Sequence, residues 1–309
     1  MMEQKKKVLF VATVVKTHIN TFHLPFLKMF KEYGWEVHVA AKNDFVDEPC
    51  VIPNCDRHFD IDFARSPFSK SNIKAYKQLK QIIETNHYDI IHCHTPIAGV
   101  LTRLAARTAK GTTVIYTAHG FHFYQGAPLI NWLVYYPVER VCGKFTDKLI
   151  TINQEDYHRA NSWSLRNNGK IYYVPGIGVD LEEIQNISIN KVQKKKEIGI
   201  SNDVKVLLSV GELNKNKNHE IIIRVLSKLT NKNFIYLICG NGELKEYLKN
   251  LAKELGVSDK VKFLGYRKDV LEIYKIADLF LFPSKREGLP CSLIEAMACG
   301  LPCVASDVR

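Results

Sequence analysis

The sequence lacks the features of a membrane-spanning, disulfide-stabilised or zinc-finger protein. No run of 18 or more apolar residues occurs, so hydropathy predicts no membrane-spanning helix. None of the eight cysteines belongs to a Cys-x-x-Cys pair, and several, such as Cys239, lie inside apolar runs. This usage is typical of buried free thiols in a cytosolic protein. Cys50 and Cys55 flank a Pro-Asn turn and would pair only under oxidation.

Nucleic-acid-binding motifs are also missing. The formal net charge is +11, but the excess is spread along the chain and is not concentrated in one arm. No helix-turn-helix, zinc-finger or RNP-like aromatic motif accompanies it, so we expect no nucleic-acid partner. A basic surface of this kind suits nucleotide phosphates or anionic lipid. The basic and then apolar amino terminus is interpreted as a buried first strand, because no small-residue cleavage site follows it.

Apolar runs alternate with helical periodicity along the first 180 residues. The run at 8–15 is continuously apolar, as expected for a parallel strand covered on both faces. Further strands are predicted at 37–41, 89–95, 113–119, 149–153 and 171–180, and helices at 21–35, 70–86, 97–109 and 128–144. The pattern predicts a doubly wound α/β domain.

The alternation restarts at 204–211 after a polar segment, 181–203. It continues with strands at 233–240, 261–266, 279–283 and 302–306, and with helices at 218–230, 243–255, 268–276 and 290–299. We therefore predict two Rossmann-like domains, 1–182 and 183–309, that face each other across a ligand-binding cleft. The lysine run 194–196 is interpreted as a solvated surface.

The most informative segment is PSKREGLPCSLIEAMACGLPCVAS, at 283–306. It places Glu287 on a loop and Glu295 more than one turn into the helix that is predicted to begin near Pro290. Backbone amides at 291–293 would be free donors at the helix amino terminus, which is a site that suits phosphate. A carboxylate beside such a site can accept hydrogen bonds from sugar hydroxyls.

This segment resembles the signature of the retaining GT-B glycosyltransferases of the family-4 type. The resemblance implies that Glu287 contacts the donor sugar and that Glu295 holds the nucleotide ribose. It also implies that loop groups meet the sugar and the diphosphate. Those groups belong to Gly288, Leu289, Pro290, Ser292 and Leu293.

The same resemblance extends over most of the second domain. Lys217 matches the family's diphosphate-binding lysine, whereas Glu212 stands where an arginine is common, so Lys215 is the alternative second phosphate contact. Gly240 and Asn241 belong to a Gly-x-Gly turn that would pass near the donor. Arg267 lies in a segment whose backbone would lie by the nucleotide base.

Histidines follow the predicted strands of the first domain. His119 matches the family's strand-end histidine, for which the resemblance implies an orienting or electrostatic role at the reacting centre. His94 and His122 are further candidates, and His18 lies in an amino-terminal loop that replaces the family's Gly-Gly. These three are assigned to the acceptor side. His92 is expected to be buried.

The resemblance implies a metal-independent reaction. No Asp-x-Asp pair lies at the end of a predicted strand, so we expect no metal site and no cofactor other than the nucleotide diphosphate sugar, a UDP-sugar in our expectation, as donor substrate. Lys217 and the helix amides would stabilise the leaving diphosphate. The resemblance further implies retention of anomeric configuration, with no nucleophilic carboxylate.

The acceptor is predicted from two segments of the first domain. The aromatic-rich stretch 120–140 resembles enzymes of capsular and exopolysaccharide assembly, which implies a glycan or lipid-linked acceptor. The segment 69–83 predicts an amphipathic helix with Lys70, Lys74, Lys77 and Lys80 opposite Ile73, Tyr76, Leu79 and Ile83. It is either an ordinary surface helix or a contact with anionic membrane. The expected location is cytoplasmic, with peripheral attachment to the membrane's inner face as the membrane-bound case.

Two alternatives remain at this point. A sugar-nucleotide 2-epimerase also has two facing α/β domains, although the paired glutamates argue against it. The chain also ends soon after the signature, whereas the resemblance implies a final helix some tens of residues further on. A fragment, or an inactive truncated transferase that exposes a sheet edge, is therefore the second alternative.

Overall fold

The computed structural model describes residues 5–46, 48–64, 66–176, 178–229 and 233–308. The chain divides into two compact units, Met1–Ile177 (unit 1) and Gly178–Arg309 (unit 2). Each unit has its own sheet and its own buried core. None of the described helices is both long enough and apolar enough to cross a membrane.

Unit 1 is a parallel sheet of seven described strands in the order β3-β2-β1-β4-β5-β6-β7. The strands are β1 (Lys7–Val14), β2 (Glu36–Lys42), β3 (Arg57–Asp60), β4 (Ile90–His94), β5 (Thr113–Ala118), β6 (Lys148–Thr151) and β7 (Lys170–Tyr173). The helices are α1 (Asn20–Phe22), α2 (Leu24–Glu32), α3 (Ser71–Asn86), α4 (Pro96–Ala105), α5 (Leu129–Gly143) and α6 (Gln154–Ala160). Val15–Ile19 forms a short π-helical turn directly after β1.

Unit 2 is a parallel sheet of five described strands in the order β10-β9-β8-β11-β12. The strands are β8 (Lys205–Val210), β9 (Phe234–Cys239), β10 (Val261–Gly265), β11 (Leu279–Phe282) and β12 (Cys303–Ala305). The helices are α7 (Leu181–Asn186), α8 (Lys191–Glu197), α9 (His219–Ser227), α10 (Lys245–Glu254), α11 (Val270–Ile276) and α12 (Cys291–Ala298). Each predicted strand and helix is present, although residues 177 and 230, inside one predicted strand and one predicted helix, lie outside the described residues.

The sheets form because their strands are apolar on both faces. Val8–Ala12 of β1 and residues 236–239 of β9 are completely or almost completely buried, with helices packed on either side. All eight cysteines are free thiols, and Cys50 and Cys55 do not pair. Three are buried, at 93, 142 and 239, and five are half-buried, so the prediction of buried thiols was right for three of them. The two-sided burial confirms the doubly wound interpretation.

Four expectations were wrong in detail. Strand β3 was not predicted, and it ends at Asp60 with Asp62 two residues on, so an Asp-x-Asp pair does follow a strand. Asp60 accepts a bond from the amide of Asn43, and Asp62 lies 2.5 Å from the Lys42 ammonium. Lys194 is buried, not solvated. Ile73 is 60% exposed, on the same side of α3 as the lysines and not opposite them.

The burial of Lys194 has a clear electrostatic cause. Its ammonium lies 2.5 Å from Asp269 and 2.7 Å from Glu272, and both of these carboxylates lie in the segment at the start of α11. These contacts raise its pKa, against the effect of burial. A lysine run therefore ties α8 to α11, because one of its three members faces inward.

A second buried ion pair lies between α4 and α5. Arg103 is 1% exposed and donates to the carboxylate of Glu139 at 2.8 Å, while its guanidinium lies 3.8 Å from the centre of the Tyr116 ring. The Tyr116 hydroxyl donates to the other oxygen of Glu139 at 3.3 Å. Removing one charge would leave the other buried and uncompensated.

We expect Arg103→Leu to lower the free energy of unfolding by about 3–5 kcal/mol, because the Glu139 carboxylate loses its partner. The double variant Arg103→Leu/Glu139→Leu should recover part of this loss. Urea unfolding followed by tryptophan fluorescence measures it, since Trp35, Trp132 and Trp163 all belong to unit 1.

The matched control is Arg107→Leu, one turn further along and exposed, whose effect should be below about 1 kcal/mol. Equal losses in the single and double variants would show that the pair is not the source of the effect.

Candidate active site

In unit 2, three asparagines hold together the loops that follow β8 and β11. Asn214 accepts bonds from the amides of Asn216 and Lys217 at 3.0 and 2.9 Å, which shapes the first loop. Asn216 donates from its side chain to the Arg286 carbonyl at 2.8 Å, and Asn218 donates to the Pro283 carbonyl at 3.2 Å. Because β8 and β11 are neighbours in a parallel sheet, both loops leave the same edge.

This arrangement brings together two residues that the sequence singled out. The Lys217 ammonium lies 2.8 Å from the Glu287 carboxylate, and it lies 5.5 Å from the centre of the Phe282 ring. Both side chains are largely but not completely buried. The stem of Lys217 lies over Gly211, where an added Cβ would come within 3.3 Å of it. The pair is therefore held in place by the loop on one side and the sheet on the other.

Glu295 lies in the second turn of α12 and contacts α11. Its carboxylate accepts a hydrogen bond from the Tyr274 hydroxyl at 3.0 Å. Burial raises the pKa of Glu295, and the nearby Glu183 raises it further. The Cys291 thiol lies within electrostatic reach of all three charged groups: its pKa is raised by burial, then by Glu295 and Glu287, and is lowered by Lys217. Lys217 and Glu287 are thus in contact at the loop edge of unit 2, and Glu295 lies on the helix that follows the Glu287 loop.

Tyr274 was missed by the sequence analysis. It lies on α11, far from the signature segment, and nothing in its local pattern distinguishes it from a core tyrosine. Besides Glu295, its hydroxyl contacts the Ser292 carbonyl at 3.0 Å. Tyr274 therefore orients both the Glu295 carboxylate and the start of α12.

The loop before α12 has the predicted course. Gly288, Leu289 and Pro290 are half-buried, and the helix begins at Cys291, as the sequence indicated. One prediction was wrong: the Leu293 amide is not a free donor, because it bonds to the Pro290 carbonyl at 3.1 Å. The first amides of the helix, at Cys291 and Ser292, precede that bond.

The Gly-x-Gly turn after β9 packs directly on the β8 loop. Gly240 has φ 144°, and a Cβ there would lie 1.9 Å from the Gly211 carbonyl oxygen, so no other residue fits. The Asn241 carbonyl accepts from the Leu213 amide at 2.9 Å. These contacts support the loop that carries Lys217.

Arg267 is engaged by other residues of unit 2. Its guanidinium donates to both carboxylate oxygens of Asp269, at 2.7 and 2.5 Å, and lies 3.3 Å from Glu197. Glu212 and Lys215 are exposed. The carboxylate of Glu212 accepts from the Asn214 side chain at 3.0 Å. The guanidinium of Arg267 is thus engaged within unit 2. The predicted contact of its segment with the nucleotide base would have to be made by the backbone.

In unit 1, histidines gather where three neighbouring strands end. His94 is the last residue of β4, His119 directly follows β5, and His18 lies in the turn after β1. The strand order reverses between β1 and β4, and ligands of such sheets bind at this reversal. His23, just before α2, completes the group and was not predicted. One ring nitrogen from each of the four lies within 4.8 Å of the others, and we call these residues the histidine cluster.

Two further histidines named from the sequence, His92 and His122, are not members of the histidine cluster, and His92 is less buried than predicted. His92 is half-buried and contacts the Thr117 hydroxyl at 2.8 Å. His122 lies outside the cluster, with its ring 4.8 Å from that of Tyr135.

Thr95, directly after His94, has φ 61°, which is a strained conformation for a β-branched residue. Its hydroxyl lies 2.7 Å from that of Thr13, which ties the ends of β1 and β4 together.

Burial keeps the histidine cluster neutral. It lowers the pKa of His18 to about 3, of His23 to about 2 and of His119 to about 4, and mutual repulsion adds to the effect at His18 and His23. The pKa of His94 is also well below its usual value, again through burial first. At neutral pH these rings are uncharged.

Family models for glycosyltransferases match both units. The model described as "Glycosyl transferase 4-like" matches residues 7–153, and the model described as "Glycosyl transferases group 1" matches residues 190–309. Two parallel α/β sheets with a polar loop edge are the architecture of GT-B enzymes. The chain belongs to the group 1, or family-4, glycosyltransferases.

Two relatives illustrate the similarity. A Bacillus subtilis (strain 168) protein named as a glycosyltransferase, EpsD, is 44% identical over 98% of this chain and 79% of its own length. The Escherichia coli UDP-Gal:alpha-D-GlcNAc-diphosphoundecaprenol alpha-1,3-galactosyltransferase is 35% identical over 78% of this chain and 62% of its own length.

Solved structures show the same fold. HepE of Anabaena, crystallised with UDP and glucose, is 21% identical with a TM-score of 0.75, over 98% of this chain and 81% of its own. The sucrose-phosphate synthase of Thermosynechococcus elongatus is 17% identical with a TM-score of 0.78, over 98% and 82%.

The lowered histidine pKa values predict acid sensitivity of unit 1. Below pH 6.5 the histidines of the unfolded chain bind protons, whereas those of the folded cluster do not. The free energy of unfolding is therefore highest above pH 6.5 and declines as the pH falls towards 4. Each such histidine adds up to about 1.4 kcal/mol per pH unit to the slope. We expect the free energy of unfolding, measured by tryptophan fluorescence in urea, to fall by about 2 kcal/mol or more between pH 7 and pH 5.

The matched variant is His23→Phe, which keeps an aromatic ring but removes one titrating group. It should lower the pH slope by the equivalent of about one proton. A wild-type stability that stays level from pH 7 to pH 5 would contradict the assignment of a neutral cluster.

Proposed function

We propose that this transferase moves a hexosyl group from a UDP-sugar to a glycan or lipid-diphosphate-linked acceptor, with retention, in the synthesis of an exopolysaccharide. The observation that carries the donor part is the Lys217–Glu287 ion pair at 2.8 Å on the loop edge of unit 2. The E. coli relative, whose printed name gives a UDP-sugar donor and a diphosphoundecaprenol-linked acceptor, supports the substrate classes. EpsD supports the reaction class, and the aromatic-rich stretch 120–140, which resembles enzymes of capsular and exopolysaccharide assembly, supports the assignment to exopolysaccharide synthesis.

In this proposal the ion pair opens when the donor binds. The Lys217 ammonium turns to the diphosphate, and the freed Glu287 carboxylate accepts hydrogen bonds from hydroxyls of the sugar. Glu295, oriented by Tyr274, accepts from the ribose hydroxyls. The first amides of α12, a helix of eight residues, add partial positive charge beside the phosphates. The remaining contacts with the donor are made by Gly240, Asn241 and the loop 288–293.

Charge stabilisation is the chemical role of these groups. The leaving diphosphate gains negative charge as the glycosidic bond breaks. Lys217 has turned to the diphosphate on donor binding, so it stabilises that charge without further movement during the reaction. The anomeric carbon gains oxocarbenium character, and the acceptor hydroxyl attacks from the face that the diphosphate leaves, passing its proton to the departing diphosphate. His119 holds a sugar hydroxyl as a neutral donor or acceptor, and His18, His94 and His122 form the acceptor side of unit 1.

We expect Lys217→Met to lower kcat/KM for UDP release by about 100-fold or more, because one preorganised positive group at the leaving diphosphate contributes on the order of 3–4 kcal/mol. Glu287→Ala should lower it similarly, while Glu287→Gln should retain part of the activity by still accepting from a hydroxyl. UDP release is measured with the donor sugar and a lipid-linked acceptor.

Lys249→Met, an exposed lysine of α10, is the control and should leave the rate within about twofold of wild type. Full activity in Lys217→Met or Glu287→Ala would remove the donor-site assignment.

Contact with an anionic membrane is supported by the exposed side of α3. Phe68 is 86% exposed and Ile73 60%, and Lys70, Lys74 and Lys77 are exposed around them. Apolar side chains among lysines are typical of a helix that lies on an anionic bilayer. Such a contact would bring unit 1 to a lipid-linked acceptor.

Helix α5 adds a second exposed apolar surface. It packs on α4, as α3 does, so both helices lie on the same side of the unit 1 sheet. The apolar side chains of Leu129, Ile130 and Leu133 are between 61% and 73% exposed. A free-thiol content of eight cysteines supports a cytoplasmic location, and hence the inner face of the membrane.

We expect the protein to co-sediment with vesicles that contain phosphatidylglycerol and not with neutral phosphatidylcholine vesicles. The triple change of Lys70, Lys74 and Lys77 to Gln should weaken binding by about 100-fold, since each lysine near an anionic surface contributes about 1 kcal/mol. Phe68→Ser/Ile73→Ser should weaken it independently of salt.

The control changes an equivalent exposed pair on α8, Lys191→Gln/Val192→Ser, which should bind as wild type does. Equal sedimentation with neutral and anionic vesicles would refute the membrane contact. The epimerase alternative has lost its support, because both family models that match are models of glycosyltransferases.

A further inference from the structure

The histidine cluster of unit 1 has more nitrogen donors than it has hydrogen-bond partners. His23 and His94 are only 2% and 1% exposed. Both ring nitrogens of His23, Nε2 of His94 and Nε2 of His18 are buried without a partner. A buried polar atom left without a hydrogen bond costs about 1–3 kcal/mol, so an arrangement with four of them calls for an explanation.

Another buried histidine of unit 1 shows that this is not a general feature of the sheet. His38 on β2 is equally buried, yet its Nδ1 lies 2.8 Å from the Tyr88 hydroxyl and its Nε2 lies 2.7 Å from the Glu36 carboxylate. His38 therefore has a partner at both ring nitrogens, whereas His18, His23 and His94 each leave at least one buried ring nitrogen without a partner.

The spacing within the cluster suits a shared ligand better than mutual hydrogen bonds. His119 Nε2 and His94 Nδ1 are 3.3 Å apart, at the long end for a hydrogen bond. With these two atoms as ligands, a shared ion would also engage Nε2 of His18 and one nitrogen of His23, whereas Nε2 of His94 would stay without a partner. Two imidazole nitrogens bound to one tetrahedral Zn²⁺ at 2.0–2.1 Å would be about 3.3–3.4 Å apart. The four donor atoms all lie within 4.8 Å of one another, so shifts of the order of 1 Å would complete the geometry.

The chemistry of the donors points in the same direction. Neutral imidazole is a ligand for zinc, copper, iron and nickel, and burial keeps these four rings neutral. The strands that carry His18, His94 and His119 are adjacent, and the Thr13–Thr95 contact fixes two of their ends. The sequence predicted no metal site, because no carboxylate clamp follows a predicted strand and the four histidines lie up to 101 residues apart in the chain.

We propose that His18, His23, His94 and His119 bind one first-row transition-metal dication, with Zn²⁺ as the reference ion, at the carboxyl ends of β1, β4 and β5. The site uses no residue of the proposed donor site of unit 2. It shares His18, His94 and His119 with the acceptor side of the proposed transferase, but metal binding can be tested without that activity. With four protein ligands it is a closed, structural type of site that holds the acceptor-side histidines in fixed orientations.

The test measures zinc binding. The protein is purified in the presence of a chelator, the chelator is removed, and zinc is then added. Titration against a chromophoric competitor should give one equivalent of Zn²⁺ bound, and zinc should raise the melting temperature followed by tryptophan fluorescence, which reports on unit 1. X-ray absorption should show four nitrogen neighbours at 2.0–2.1 Å and no sulfur at 2.3 Å.

His23→Phe is the decisive variant, because it keeps the aromatic packing and removes no hydrogen bond that the folded protein makes. It should fold as wild type does and weaken zinc binding by about 100-fold or more, beyond the roughly 10–100-fold cost of losing an outer-shell partner. His158→Phe, at an exposed histidine of α6, should bind zinc as wild type does.

Three results would each overturn the proposal: no zinc bound at micromolar concentration, undiminished affinity in His23→Phe, or a sulfur-containing shell that assigns the metal to cysteines. None of these measurements involves donor or acceptor. Failure here therefore leaves the transferase proposal intact, and loss of transferase activity in Lys217→Met does not affect this one.

Discussion

Parallel pairing of every described strand is the constraint on which both candidate sites depend. In each unit the carboxyl ends of the strands meet at one edge, so loops that are distant in the chain become neighbours. The order reverses between β1 and β4 in unit 1 and between β8 and β11 in unit 2. The histidine cluster follows the first pair together with β5, and the Lys217–Glu287 pair follows the second.

The two sites are electrostatically different. In unit 2 the charged groups neutralise one another: Lys217 is paired with Glu287, Arg267 with Asp269, and Glu295 is held by the Tyr274 hydroxyl. Such pairs satisfy partly buried charges when no ligand is bound. The histidines of unit 1 avoid charge altogether, because burial favours the neutral ring.

Buried charge is also used for purely structural purposes. Lys194 joins α8 to α11 through two carboxylates, and Arg103 joins α4 to α5 through Glu139. From the sequence these residues cannot be distinguished from solvated ones, because their partners lie 36 to 78 positions away. Burial of a charge is decided by whether tertiary packing brings its counter-charge, and not by local pattern.

Most of the fold could be predicted because its signal is local. Continuous apolar runs and helical periodicity identified eleven of the twelve described strands, and only β3 was missed, a short strand of four residues with two half-buried and two exposed positions. The signature at 283–306 likewise predicted where α12 begins. The hydrogen bond of the Leu293 amide was not predicted, because it depends on the course of the loop, which no residue pattern specifies.

The sequence by itself determined the class of fold, the family and the residues around which a donor site is proposed, because each of these depends on contiguous segments. Tertiary structure decided which groups meet. It placed Tyr274 in contact with Glu295 and brought His23 to the other three histidines. It also buried Lys194 and left Ile73 exposed beside the lysines of α3. The physical reason is that contact and burial depend on sheet order and helix packing, which act between segments and leave no mark in any one of them.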